Sequence, residues 1–387
     1  MLKFLKWFLG LFSRYVNPFE RKVGRFFKHI KSTDTIYSIK KELLSLMQEN
    51  LMILNVWLEK EFRGYTYLDK KTRRKMYEDE KKIVAKFQEF CAMNVPNSAD
   101  LKAYFKERGF TYPDGDDQKL LYLSQIMDFL RPGKYYHYIK TASFGKLLRD
   151  PDSAKMEGDC NQIVTFYMYL YSLKFPVEDL NIKLLPEHVC LHFRSIDIEA
   201  TNATFAKYTE SLEVLPATEI ISTNLLDLSD FREEAQEISP RVILKSAQLA
   251  YAISSLKSLV AKNLDVAYRN LTVNLLNQQQ FDEARFFAEK TGDFELIKNV
   301  KYNQAVYLYN AGILDKALEV FSAMGDEKMK KACYQKMYNK LVGEVAGVQT
   351  LDQAKSKKSI YQKMLDLAVK VGDPAMERSV RETLGKI

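Results

Sequence analysis

The chain is poor in the residues and patterns that usually announce a metal, a nucleotide or a bilayer. Its 387 residues include only four cysteines, Cys91, Cys160, Cys190 and Cys333, and no two of them form a Cys-x-x-Cys pair. That argues against a disulfide framework, excludes the common zinc-ribbon and finger spacings, and fits a reducing, cytoplasmic setting. No Gly-rich phosphate loop, Rossmann fingerprint or kinase signature is present, so no nucleotide is implied and no cofactor is expected. In the opening stretch MLKFLKWFLGLF the longest uninterrupted apolar run is Trp7 to Phe12, far short of the roughly 20 residues a transmembrane helix needs. The same stretch lacks a small-x-small cleavage site and is followed by Arg14, Arg21 and Lys22, so a signal peptide is not expected.

What is there begins with ordinary globular material: 47% apolar and 28% charged residues, enough length for two to three domains. The net charge of +8 is unevenly spread. Residues 1–32 hold eight Lys and Arg against Glu20 alone, a balance of +7, which leaves the rest of the chain close to neutral. A near-neutral body offers no nucleic-acid cleft. The basic segment mixes Phe, Leu and Trp with Lys and Arg. This suits either an amphipathic helix lying on an anionic inner-membrane surface or a first helix packed on the protein's own core.

Residues 33–134 carry helical periodicity. Helices are expected over Ser38–Lys60, Lys70–Met93, from Asn97 onward, and over Gln118–Leu130, where Arg131-Pro132-Gly133 stops the last of them.

The chemistry is concentrated further on. Glu157-Gly158-Asp159 forms a turn, in which Gly158 supplies backbone freedom, and from Cys160 the chain reads CNQIVTFYMYLYSLKF, a buried helical pattern. Cys160 is therefore expected in a helix's first turn. Unpaired N–H groups and the positive dipole end favour thiolate there, and the same N–H groups suit an oxyanion. Free cysteine is equally at home as a small buried hydrophobe. After a short strand to Leu185, His188, Cys190 and His192 alternate with Val189, Leu191 and Phe193, so they share one strand face. If Arg194-Ser195 is a two-residue loop, His192 stands opposite Asp197 and Cys190 opposite Glu199. Glu199 then reaches His188 diagonally. A thiol, an imidazole and two candidate acids, Glu199 and Asp197, are the parts of a nucleophile, its base and the base's orienting group. A zinc ion held by Cys160, His188, Cys190 and His192 is the weaker reading, because no paired motif supports it.

These residues resemble the transglutaminase-like superfamily, whose papain-like fold carries a Cys-His-acid triad. Gly158-x-Cys160 is similar to the family's opening of the core helix, Pro186-Glu187-His188 to its strand-starting histidine, and Ile198-Glu199-Ala200-Thr201-Asn202 to its acid-bearing strand end, with Glu in place of Asp. The likeness covers roughly residues 135–235 and is greatest for the bacterial subgroup with a tetratricopeptide tail. It implies Cys160 as nucleophile, His188 as base and Glu199 as orienting acid. The hairpin between His188 and Glu199 is shorter than is usual in the family, and Asp197 competes with Glu199. With no Trp besides Trp7 and Trp57, an aromatic wall would fall to Tyr135, Tyr136 or Tyr138.

Beyond Ser239-Pro240 the pattern is helical to the end. Asp282-x-Ala284 and Gly292-Asp293 return 33 residues later as Asp315-x-Ala317 and Gly325-Asp326, close to the tetratricopeptide period of about 34 residues. A degenerate third unit includes Asp352-x-Ala354 and Gly372-Asp373. The expected organisation is α+β: a basic segment 1–32, a helical region 33–134, a transglutaminase-like core 135–238 and helical repeats 239–387. The expected activity is cysteine-dependent acyl transfer, with the repeats docking a protein or peptide. The competing expectation is an inactive core serving as a binding scaffold.

Overall fold

A computed structural model describes residues 13–30, 34–141, 143–209, 213–227 and 236–387. The membrane expectation for residues 1–12 lies outside them. The chain divides into two compact units between Ala267 and Tyr268.

The first unit opens with helix α1 (Pro18–His29), capped by the Asn17 side chain, which accepts the Glu20 N–H at 2.8 Å. Pro18 at its first position supplies the φ that a helix needs without wasting a donor. Val23, Phe26 and Phe27 of α1 are buried in the core, so this half of the basic segment is packed on the protein itself. Its Glu20 is fully buried and accepts Arg73 Nε at 2.8 Å and Tyr77 OH at 2.6 Å, both from α3 (Lys70–Met93). Helix α2 (Ile36–Glu61) is broken at Asn50, which adopts an extended conformation. The Asn50 Oδ1 accepts the Ile53 N–H at 2.8 Å and so caps the second half, while its Nδ2 donates to the buried Glu80 at 2.6 Å. Helices α4 (Ser98–Glu107) and α5 (Asp117–Phe129) complete the helical layer.

A short parallel pair, β1 (Tyr136–Tyr138) with β2 (Met156–Gly158), leads into α6 (Cys160–Ser172). Every residue of α6 from Gln162 onward is buried. The helix is apolar nearly all round and sits between α2 on one side and the sheet on the other. The sheet has five antiparallel strands in the order β6-β5-β4-β3-β7: β3 (Asn181–Leu185), β4 (His188–Phe193), β5 (Ile196–Glu199), β6 (Thr204–Ala206) and β7 (Leu215–Pro216). Two tight turns set its register. Leu185 pairs with His188 around Pro186-Glu187, and Phe193 pairs with Ile196 around Arg194-Ser195. Glu187 and Arg194 take left-handed φ values of 54° and 57° to close those turns. His192 stands opposite Asp197, as the two-residue loop requires. Val189, Leu191 and Phe193 are buried on the alternate face, each worth roughly 1.5–3 kcal/mol of transfer free energy.

Helices α7 (Glu219–Leu226) and α8 (Pro240–Ile253) close the unit. Helix α8 buries Leu244, Ala247, Ala250 and Ile253, and Ser246 Oγ donates to Leu225 O at 2.6 Å. That packing carries the division past the Ser239-Pro240 break expected from sequence, into α9 (Lys257–Asn277).

The second unit, Tyr268–Ile387, holds helices α10 (Phe281–Thr291), α11 (Phe294–Asn310), α12 (Leu314–Ala323), α13 (Glu327–Val345), α14 (Leu351–Ser356), α15 (Lys358–Val371) and α16 (Pro374–Leu384). Buried positions recur at the 33-residue interval: Ala284 with Ala317, Ala288 with Phe321, Val300 with Cys333 and Ala305 with Tyr338. The Gly-Asp pairs are the joints. Gly292, Gly325 and Gly372 adopt left-handed φ of 68°, 71° and 76°, the residue ending a helix where only glycine is unstrained. The next residue, Asp293, Asp326 or Asp373, then caps the following helix through its carboxylate. In the third copy eighteen residues, not eight, separate the buried alanine from the glycine, and two helices, α14 and α15, fill the interval.

Candidate active site

Gly158 prepares the site by closeness rather than by conformational freedom. Its φ is not left-handed, and a Cβ placed on it would lie 3.0 Å from Gln162 Cβ. The Gly158 carbonyl accepts the Tyr136 hydroxyl at 2.9 Å and the Ile139 N–H at 3.0 Å, which fixes the strand just before the helix. Asp159 is the N-cap of α6. Its carboxylate accepts the Asn161 N–H at 2.9 Å and the Gln162 N–H, and the Gln162 side chain returns a bond to the Asp159 N–H at 3.2 Å, a reciprocal capping box. Burial pushes the Asp159 carboxyl up to about 7, and the carboxylate of Asp227 adds to this, against the pull of the backbone N–H groups. Cys160 is thus the first residue of the helix, half-buried. The cap claims the N–H groups of Asn161 and Gln162 that the sequence offered to an oxyanion, so Cys160's own N–H is what the first turn leaves for that purpose.

His188 is the first residue of β4 and faces this helix end. Hydrogen bonding with Cys160 is the main cause that pushes its imidazole up to about 10, with the bond to Glu199 next; together they outweigh partial burial. Nε2 of His188 lies 2.7 Å from Glu199 Oε2. Glu199 is almost wholly buried, which alone would raise its pKa. Bonds from His188, Thr201 and Tyr208 overcome that and hold it at about 2. The Thr201 N–H reaches Glu199 Oε1 at 3.1 Å, and the Tyr208 hydroxyl donates to Oε2 at 2.7 Å. An ionised carboxylate only accepts, so His188 Nε2 is the donor and Nδ1 is the nitrogen left for Cys160.

The competing acid is engaged elsewhere. Asp197 accepts His192 Nδ1 at 2.6 Å, Lys183 Nζ at 3.0 Å and the Tyr208 N–H at 2.7 Å. Of the two carboxylates, the structure brings Glu199 rather than Asp197 to His188. Cys190 is fully buried, and burial pushes its thiol up to about 12. Among the described residues no group of three or more His, Cys, Asp or Glu is arranged to hold a metal. His188 and His192 turn to different carboxylates, so the pair is not shared.

Cys160 and His188 open onto a cleft of about 920 Å³. Leu184, Leu185 and Leu215 give it an apolar side, while Glu187, Glu213 and Asp227 give it an acidic one. Of the three tyrosines considered for its wall, Tyr138 lines it. Tyr136 is buried beneath Gly158, and Tyr135 packs on Phe129 at 4.8 Å. The residues that sequence reasoning missed are Tyr208, whose N–H and hydroxyl join the two carboxylates, and Asp227, beside the cap. Both lie in irregular segments with no periodic signal to mark them.

No helix among the described residues is long and apolar enough to cross a membrane. No family model, curated protein or solved structure matches the chain.

Proposed function

We propose that this protein is a cysteine-dependent acyl-transfer enzyme of the transglutaminase-like kind, with Cys160 as nucleophile, His188 as proton carrier and Glu199 as the acid that orients it. The observation that carries the reading is that Cys160 and His188 share one cleft, with His188 Nε2 held 2.7 Å from the buried Glu199 Oε2 and its other ring nitrogen free to serve the thiol. With Nε2 held by the carboxylate, a proton on Nδ1 sits beside sulfur. Sulfur attacks the carbonyl carbon of an amide, the C–S bond forms and the carbonyl electron pair moves to oxygen. When that pair returns, the C–N bond breaks and the departing nitrogen takes the proton from Nδ1. The acyl group is left as a thioester on Cys160. Water or an amine then attacks, gives its proton to Nδ1 and displaces sulfur.

The helical repeats of the second unit resemble tetratricopeptide units and are proposed to dock a protein or peptide. Phe286, Phe294, Tyr302 and Tyr307 support this, being large apolar side chains left exposed on α10 and α11.

A second reading, an idle core that serves as a scaffold, draws on Asp159 and Asp227. Both carboxylates line the cleft beside Cys160 and give the thiol an acidic rather than a basic neighbourhood.

The test is trapping. The intact protein is exposed to p-nitrophenyl acetate and digested, and the thioester is sought by mass spectrometry. Acetyl on Cys160, lost in His188→Ala, is the expected result. Acetylation that ignores Cys160, or that is unchanged in His188→Ala, favours the scaffold.

A further inference from the structure

The Cys160 cleft is built at one end of the sheet. Leu184 and Leu185 end β3, Glu187 sits in the turn that follows, and His188 begins β4. Strand β7 runs antiparallel to β3, with Leu215 opposite Ile182. The chain just before Leu215 therefore points toward that same end and brings Glu213 into the cleft wall. Leu256 and Leu259, around the start of α9, add to the apolar side. Five leucines thus share the cleft with the thiol.

The acids of the cleft are not equivalent. Asp159 is committed to the helix cap. Asp227 accepts Asn161 Nδ2 at 3.0 Å, and its carbonyl accepts the buried Arg63 guanidinium. Glu187 and Glu213 are exposed, and among the described residues neither is engaged in a hydrogen bond or an ion pair. Opposing charge is scarce. Among the described residues Lys140 is the one Lys or Arg on the cleft wall, and the His188 imidazole is turned to Glu199. The cleft therefore carries more negative than positive charge, next to an apolar wall.

We propose that the acyl donor of this cleft carries a cationic group on an apolar stem, as a lysine side chain does, on the residue whose carbonyl Cys160 attacks. The inference rests on the acyl-transfer reading of Cys160 and adds the substrate class to it. The stem lies along the leucines, where each methylene gains by leaving water. The ammonium meets Glu187 and Glu213, which are exposed, so it keeps most of its hydration. An anionic side chain would meet both glutamates with like charge. A neutral apolar one would use the leucines and leave the glutamates without counter-charge.

The full-length protein is mixed near neutral pH with the p-nitrophenyl esters of N-acetyl-lysine, N-acetyl-norleucine and N-acetyl-glutamate. Release of nitrophenol gives the acylation rate, and peptide mass spectrometry assigns the acyl group to Cys160. Each rate is divided by that of the same ester with free cysteine, which removes differences in intrinsic reactivity. An exposed ion pair contributes up to about fivefold, so two glutamates should favour the lysine ester over the norleucine ester by about tenfold at low salt, with the glutamate ester slowest. The preference should shrink as salt shortens the Debye length. In the double variant Glu187→Gln, Glu213→Gln the lysine-to-norleucine ratio should fall to about one. Both side chains are exposed, so circular dichroism should be unchanged. A lysine ester no faster than the norleucine ester, or a preference that survives in the double variant, overturns this inference and leaves the acyl-transfer reading standing. Acylation of Cys160 by none of the esters overturns both.

Discussion

His188 and Glu199 meet on a diagonal, Nε2 to Oε2 at 2.7 Å, from the first residue of one strand to the last of its antiparallel neighbour. The diagonal arises because the Arg194-Ser195 turn places His192 opposite Asp197 and so leaves His188 beyond the paired ladder, where only a side chain as long as glutamate reaches it. Shortening that acid should matter as much as neutralising it. Glu199→Gln and Glu199→Asp are each expected to slow thioester formation on Cys160 by about 10²-fold or more. Asp197→Asn should change the rate little while lowering the melting temperature, since it breaks the bonds to His192 and Lys183. Trapping rates and thermal melts of the three variants check this.

The four thiols differ in environment. Burial raises Cys91 to about 11 and Cys190 to about 12, and Cys333 is also raised by burial. Brief treatment with iodoacetamide near neutral pH should label Cys160 first, and His188→Ala should slow that labelling. Quantified peptide mass spectrometry decides it. Labelling of all four at similar rates would count against an activated thiol.

Stability should depend on pH in two separable windows. His188 is raised from 6.5 to about 10, so it stabilises the fold fully below pH 6.5 and that contribution is lost as pH climbs through 10. Asp159 is raised from 3.8 to about 7, so the fold is favoured below pH 3.8 and loses that advantage as pH climbs through 7. His188→Gln should flatten the upper window. Asp159→Asn, which keeps a capping side chain, should flatten the lower one and hasten alkylation of Cys160. Urea melts across pH measure both effects.

In the proposed reaction Tyr208 acts as a positioning residue. Its hydroxyl is one of several donors to Glu199. Tyr208→Phe should cost about 1 kcal/mol of support, or about fivefold in the trapping rate, with little change in overall stability. A variant indistinguishable from the parent in rate would remove Tyr208 from that role.

At the joints of the second unit, Asp293→Ala should cost about 1 kcal/mol for the lost cap, and Gly292→Ala a similar amount for the left-handed backbone. Denaturant midpoints of the intact protein give the values.

Much of the site was legible because local rules decide it. A two-residue turn fixes register, and register fixes which face His188 and Glu199 share. The bounds of α3, Lys70–Met93, coincide with the periodic run read from sequence. What escaped depends on packing. The break at Asn50 is invisible in an apolar run, because it exists to cap the second half of α2 and to meet Glu80. The strands β1 and β2, three residues each, are too short for alternation to register. Gly158 reads as a hinge, yet what it supplies is proximity to Gln162, a contact made only once α6 has folded. The choice between Glu199 and Asp197 needed the register and the long side chain together.

The Gly-Asp joint places a helix stop and a helix start on adjacent residues, so the segment between one joint and the next carries its own punctuation, whether it spans 33 residues (Gly292 to Gly325) or 47 (Gly325 to Gly372). A chain built this way can gain or lose a whole module by recombination between identical joints without disturbing any neighbour's caps. The number of helices in the second unit is therefore open to evolutionary change, while the cleft around Cys160 and His188 in the first unit stays untouched.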